Sequence, residues 1–97
     1  MIRHTVLFSW KPGTTGEQKQ QAAAELAKLP SIIASVRAFA SGPDAGLAPG
    51  NFDFAVSADF DDEAGFFAYR DDPGHREVIQ RCILPITAQR AAVQFEL

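Results

Sequence analysis

The chain has 97 residues, 46% of them hydrophobic and 22% charged, with a formal net charge of −3. That balance belongs to a globular chain rather than a disordered one, and its length predicts a single domain over residues 1–97. No cluster of Lys or Arg supplies the basic footprint that nucleic-acid phosphates demand, and no apolar run approaches the ~20 residues of a membrane span, so neither nucleic acid nor membrane is expected as a partner.

Ile2, His4, Val6, Phe8 and Trp10 alternate with Arg3, Thr5, Leu7 and Ser9, which predicts a strand over 2–10. Lys11-Pro12-Gly13 ends it. Thr14 with Glu17, or Thr15 with Gln18, forms a helix capping box, and the helix should run to about Leu29 with Ala22, Ala23, Leu26 and Leu29 on one face before Pro30 stops it. Val36 to Ser41 is predicted as a second strand, 42–51 as a loop and Phe52 to Phe60 as a third strand. Asp61 is the expected cap of a helix carrying Phe66, Phe67 and Tyr69. Asp72-Pro73 opens a further helical piece, which should reach about Leu84, ahead of Pro85. Arg90 to Glu96 closes the chain as a strand, with Ala91, Val93 and Phe95 on its apolar face. The order β-α-β-β-α-β, its second helix in two pieces, is that of an α+β ferredoxin-like fold: a four-stranded antiparallel sheet with helices on one side.

A domain of this size buries a limited core, and a second copy is a natural remedy. The expected helix-facing residues are Val6, Phe8, Phe54, Val56, Val93 and Phe95. The other face, with Thr5, Leu7, Ser9, Ala55, Ser57, Ala92 and Gln94, is poor in the Lys and Glu of a purely solvated sheet. Pairing two such faces predicts a homodimer; a solvated face of small residues is the alternative.

The chain has two histidines. His4 shares a strand face with Val6 and Phe8. His75 precedes Val78, Ile79 and Cys82 by helical spacings, so both rings should enter the layer between sheet and helices, with Tyr69 within reach of it. A buried imidazole titrates near neutrality and is the usual general acid or base; a tyrosine hydroxyl can orient a carbonyl oxygen. That set suits proton abstraction beside a carbonyl. Each residue also has a bland reading: a hydrogen-bonded core histidine for His4, a helix-start residue for His75 and core packing for Tyr69.

Three further residue patterns carry no site. The acids at 59 and 61–63 are explained by helix capping and lack the spacing of a calcium loop. Gly42, Gly46 and Gly50 lead into a strand and cannot make a phosphate-binding turn at a helix start. Cys82 stands alone, so no disulfide or cysteine-based zinc site is expected. The first residues read as a strand carrying Arg3 and His4 rather than as a signal peptide, and a cytoplasmic location is expected.

The opening Ile2-Arg3-His4-Thr5-Val6-Leu7-Phe8 with Lys11-Pro12-Gly13, then Phe52-Asp53-Phe54-Ala55, Asp59-Phe60-Asp61-Asp62 and Tyr69-x-x-x-Pro73-x-His75, resembles the stress-responsive dimeric α/β-barrel (Dabb) family over essentially the whole chain. The resemblance implies a ferredoxin-like monomer whose sheet pairs with a second copy into a barrel. The family includes plant polyketide cyclases related to olivetolic acid cyclase, which close poly-β-keto chains without metal or organic cofactor. Carried over by position, it implies His75 as general base, Tyr69 as hydrogen-bond partner of the substrate carbonyl or of the base, and His4 as a polar pocket group. Val6 and Phe8 would form part of the apolar, substrate-binding wall. One departure is that family members often carry His-Pro where this chain has Asp72-Pro73.

Three functions follow. The first is a cofactor-free acid–base cyclase, isomerase or lyase acting on a small carbonyl or polyketide-like compound. The second is a non-catalytic, small-ligand-binding or stress-protective homodimer. The third, from fold analogy alone, is an oxygenase or haem-handling relative, in which His4 or His75 would bind iron.

Overall fold

The computed structural model describes residues 1–97. Its elements are β1 (Ile2–Trp10), α1 (Gly16–Ile32), β2 (Ala38–Pro43), β3 (Phe54–Phe60), α2 (Glu63–Asp71), α3 (Pro73–Val78), a π turn (Ile79–Ile83), a 3₁₀ turn (Leu84–Ile86) and β4 (Thr87–Glu96). The strands form one antiparallel sheet in the order β2-β3-β1-β4. This is the ferredoxin-like α+β arrangement that the element order predicts.

The alternation in β1 is realised residue by residue: Ile2, His4, Val6, Phe8 and Trp10 are buried, and the residues between them are half-buried. The inner rows of β1 and β3 meet Ala22, Leu26 and Leu29 of α1 in one core cluster with Tyr69, Val78, Cys82, Ile83 and Ile86. At the end of β1, Thr14 N–H donates to Lys11 O at 3.2 Å, and Gly13, at φ 83°, supplies the left-handed position of that turn. Thr15 is the α1 cap: its hydroxyl accepts from Gln18 N while the Gln18 side chain accepts from Thr15 N.

Some boundaries differ from those predicted. The first helix continues through Pro30 to Ile32, because Leu29 and Ile33 are both buried and Ile33 N–H donates to Leu29 O at 3.0 Å. Packing on either side of the proline holds the last turn in place despite its missing donor. The cap of α2 is Asp62, whose carboxylate accepts from Gly65 N at 2.9 Å. Asp61 instead accepts from Arg37 Nε at 3.0 Å. The second strand starts later and runs further than its composition indicated, and the third begins at Phe54 rather than Phe52. Just ahead of β3, Asp53 is tied to β1 from both of its polar ends: its N–H donates to Phe8 O and its carboxylate accepts from Trp10 N.

The largest correction concerns β4. Val93 pairs with Thr5 and Phe95 with Arg3, so both lie on the helix-free face, 54% and 44% exposed. The helix side of β4 carries Arg90, Ala92 and Gln94, opposite Phe8, Val6 and His4. The cause is an irregularity between Ser9 and Trp10, whose partners are Gln89 and Thr87. Ala88 is the extra residue of a β-bulge, and it turns every later side chain to the opposite face.

Arg3 and Asp59, directly opposed on the helix-free face, form a two-pronged ion pair at 2.8 and 2.9 Å. The guanidinium holds the Asp59 carboxyl below the usual carboxylate range.

Leu29 has no exposed surface and does not line the cavity described below, so Leu29→Ala should lower unfolding stability by about 3 kcal/mol, read from urea denaturation, without altering ligand response.

Candidate functional site

Between the sheet and its helical cover lies a cavity of about 290 Å³. Its floor is the inner face of β1, with His4, Val6 and Phe8, and its walls include Tyr69, His75, Ile79 and Ile83. All five residues singled out from the sequence therefore line one hollow.

Each polar side chain is positioned by a local feature of the chain. His4 is fixed by the pleat of the central strand. Tyr69 is the buried residue of α2. His75 is set by the start of α3, where the Asp72 carboxylate accepts from Gly74 N at 2.8 Å and from His75 N at 3.2 Å. A Cβ at Gly74 would sit 3.0 Å from Asp72 Oδ1 and 3.2 Å from Ile32 Cδ1, so a larger residue would require the Asp72 cap and the Ile32 side chain to shift. Asp72 thus fills the cap role. Downstream, the N–H of Leu84 reaches Ile79 O, the wide spacing of a π turn, which brings Ile79, Ile83 and Leu84 together along one wall.

The Tyr69 ring lies between the two histidines, with its centroid 4.3 Å from that of His75 and 6.1 Å from that of His4. Hydrogen bonds set the tautomers. Gln94 Nε2 donates to His4 Nδ1 at 2.8 Å, so neutral His4 carries its proton on Nε2. His75 Nδ1 lies 3.2 Å from Arg70 O, a pure acceptor, so neutral His75 is protonated on Nδ1 and its Nε2 holds a free lone pair. The two rings therefore offer opposite functions: a donor on His4 and an acceptor, or base, on His75. Tyr69 adds a hydroxyl that no group of the chain satisfies, yet Ser35 Oγ is the one sealed side-chain polar atom without a partner. The phenol consequently opens onto the cavity.

Burial keeps all three groups neutral. Desolvation first, then the charge of Arg90 and the neighbouring His75 ring, push His4 down to about 4. Desolvation also lowers His75, against the opposing effects of the Arg70 carbonyl and Asp72. Burial pushes Tyr69 up to about 12.

Sequence reasoning missed Arg70, Thr87, Arg90 and Gln94. The first three line the cavity and the fourth orients His4. For Arg90 and Gln94 the signal was present in the even-numbered row of β4, but the apolar odd-numbered row concealed it. Cys82 is buried and unpaired, and desolvation raises its thiol, which makes it a packing residue. No three His, Cys, Asp or Glu side chains converge on a point where they could hold a metal ion. No helix is long and apolar enough to cross a membrane.

A sheet covered on one face by helices, with an apolar hollow between the layers, defines a ferredoxin-like α+β protein with an internal site. Within that class, residues 2–97 match the stress responsive A/B barrel domain, and the chain belongs to this Dabb family. It is similar to a dimeric ferredoxin-like protein of unknown function from Thermobifida fusca, with 49% identity and a TM-score of 0.92 over 99% of this chain and 90% of that one. It also shares its fold with a hydroxynitrile lyase from Passiflora edulis, at 20% identity and a TM-score of 0.86 over 99% of this chain and 92% of that one. A structure described as an antibiotic biosynthesis monooxygenase has the same fold, at 14% identity and a TM-score of 0.78 over 100% and 98% of the two chains. No functionally curated protein matches the chain.

His4, 5% exposed, makes stability pH-dependent. Its native pKa lies below the unfolded value of 6.5, so the unfolded chain binds the proton first and stability falls as pH drops from 6.5 towards 4. Between pH 6.5 and pH 5 the loss from this group should be about 1.5 kcal/mol, measured by urea unfolding, and His4→Gln should remove that increment. An unchanged slope in His4→Gln would show that the ring is not held neutral by the fold.

Proposed function

We propose that the cavity is the site of a cofactor-independent acid–base enzyme acting on a small carbonyl compound, in the manner of a cyclase, isomerase or lyase. The observation that carries this reading is one free imidazole lone pair, on His75, beside the unsatisfied hydroxyl of Tyr69 in an apolar hollow. His75 Nε2 takes the proton from the carbon next to the substrate carbonyl. The released electron pair moves to the carbonyl oxygen, where Tyr69 donates a hydrogen bond to the enolate. His4, protonated on Nε2, is a second donor on the same floor. In a cyclisation the enolate carbon attacks a second carbonyl, and the alkoxide formed recovers the proton from His75. Val6 and Phe8 hold the apolar part of the ligand. The shared fold of the Passiflora edulis hydroxynitrile lyase supports the lyase branch, and the family resemblance supports the polyketide-cyclase branch.

Protonation states suit this role. His75 is lowered from 6.5 and so is a neutral base at pH 7, while Tyr69, at about 12, stays a donor. Activity should therefore be flat from neutral to mildly alkaline pH and fall on the acid side through the His75 titration.

The test is deuterium exchange at the α-carbon of a β-keto thioester, with cleavage of an α-hydroxynitrile run in parallel. His75→Ala should lose about 100-fold or more, and Tyr69→Phe about 10-fold or more, with circular dichroism unchanged. An unaltered rate in His75→Ala would remove that residue from the chemistry. The second reading, a non-catalytic ligand-binding protein, draws on the fact that each ring already has an intramolecular partner. It predicts ligand affinity with no exchange in the wild-type protein.

We also place the protein in a homodimer formed through the helix-free sheet face, and in the cytoplasm, where an unpaired Cys82 suits a reducing compartment. Val93 and Phe95 add apolar area to a face that also carries Leu7, several small residues and the Arg3–Asp59 pair, and the Thermobifida fusca relative is described as dimeric. Phe95→Glu should shift the protein to a monomer in light scattering, with its secondary structure retained. A dimer of unchanged strength would place the interface elsewhere.

A further inference from the structure

The rim of the cavity has an uneven charge distribution. Fourteen residues line it, none of them Asp or Glu, and two are arginines. Arg70 is already engaged: its guanidinium grips Asp71 at 2.9 and 3.1 Å and lies 4.8 Å above the Phe67 ring. Arg90 is different. It takes part in none of the ion pairs Arg3–Asp59, Lys28–Glu25, Arg37–Asp61, Arg70–Asp71, Arg81–Glu25 and Arg81–Glu77. Its place is dictated by the bulge at Ala88, which puts it opposite Phe8 on the helix side of the sheet, where Phe8 is floor and Arg90 is rim.

We infer that Arg90 anchors an anionic head group, and that the ligand is a carboxylic acid with an apolar body: the body lies on Val6, Phe8 and Ile83, and the carboxylate meets the guanidinium at the mouth. This rests on the reading of the cavity as a small-molecule site and specifies the class of molecule. A planar guanidinium presents two parallel N–H donors that match a carboxylate edge, and such charge-assisted pairs are the stronger kind of hydrogen bond. Pockets for small ligands combine apolar walls with a few placed polar groups that fix orientation. Here that arrangement would hold the acid end at the rim and turn the remaining carbonyl of a keto acid inward, towards Tyr69 and His75. No Asp or Glu is part of the lining, so the incoming negative charge meets no carboxylate within the cavity wall itself. Arg90 is exposed and the ion pair is accessible to salt, so discrimination rather than raw affinity is the expected signature.

The experiment compares phenylbutyrate with phenylbutyramide, which share an apolar body and differ in charge. Each is titrated into the full-length protein, wild type and Arg90→Gln and Arg90→Lys variants, while the ring proton signals of His4 and His75 are followed by NMR. Wild type should bind the acid about 10-fold more tightly than the amide. Arg90→Gln should bind the two equally, with amide affinity unchanged, and Arg90→Lys should keep part of the preference. Because Arg90 is exposed and unpaired, the variants are expected to fold. Binding of the amide with no preference for the acid in wild type, or a preference that persists in Arg90→Gln, would overturn the assignment of Arg90 and leave the cavity reading standing. Failure of both molecules to move the histidine signals in wild type would overturn the cavity reading, and this inference with it.

Discussion

The central strand decides most of what this molecule can do. Its inner row, Ile2, His4, Val6, Phe8 and Trp10, is buried beneath the helices, and each apolar member removed from water contributes roughly 1.5–3 kcal/mol. Four of these side chains are apolar and one is an imidazole. A polar ring in such a row is costly unless it is hydrogen-bonded. Gln94, brought opposite by the register of β4, supplies that bond at 2.8 Å and at the same time selects the tautomer. The stability of the sheet and the chemistry of the cavity floor therefore share one contact.

The helical cover is built to leave space rather than to close it. Three short segments replace a single long second helix: α2 ends at Asp71, α3 begins at Pro73, and the π turn follows from Ile79. Asp72 and Gly74 fix the first junction and Pro85 limits the last. A straight helix over 63–84 would present one stripe to the sheet. The broken path instead sets Tyr69 beside His75 and spreads Ile79, Ile83 and Leu84 around the hollow.

Much of this was legible in the residues. The strict alternation of β1 and the Asp72-Pro73 start each specify one local structure, found as expected, while the two capping boxes the residues allow, Thr14–Glu17 and Thr15–Gln18, resolve to the second. His4 and His75 share the hollow as their strand and helix phases imply, and Tyr69, across the break at Pro73, lines it with them. Where reading failed, two local rules competed. Pro30 signals an end, but the burial of Leu29 and Ile33 outweighs it. Asp61 and Asp62 are equivalent as caps until Arg37 claims one of them. For β4, the apolar residues read as core, yet Val93 and Phe95 lie on the helix-free face. Nothing in Thr87-Ala88-Gln89 announces an extra residue, so the phase of the strand, and with it Arg90 and Gln94, was invisible.

That bulge has an evolutionary corollary. Loss of one residue at position 88 would rotate the whole terminal segment by half a pleat, sending the guanidinium and the amide out to the helix-free face and Val93 and Phe95 into the hollow. A lone codon deletion would thus exchange the strand's two faces, taking Arg90 and Gln94 away from the cavity and Val93 and Phe95 away from the outer surface together. Lineages of this architecture can diversify in what they hold and in how they associate through length changes at this hinge of register, with every other element kept as it is.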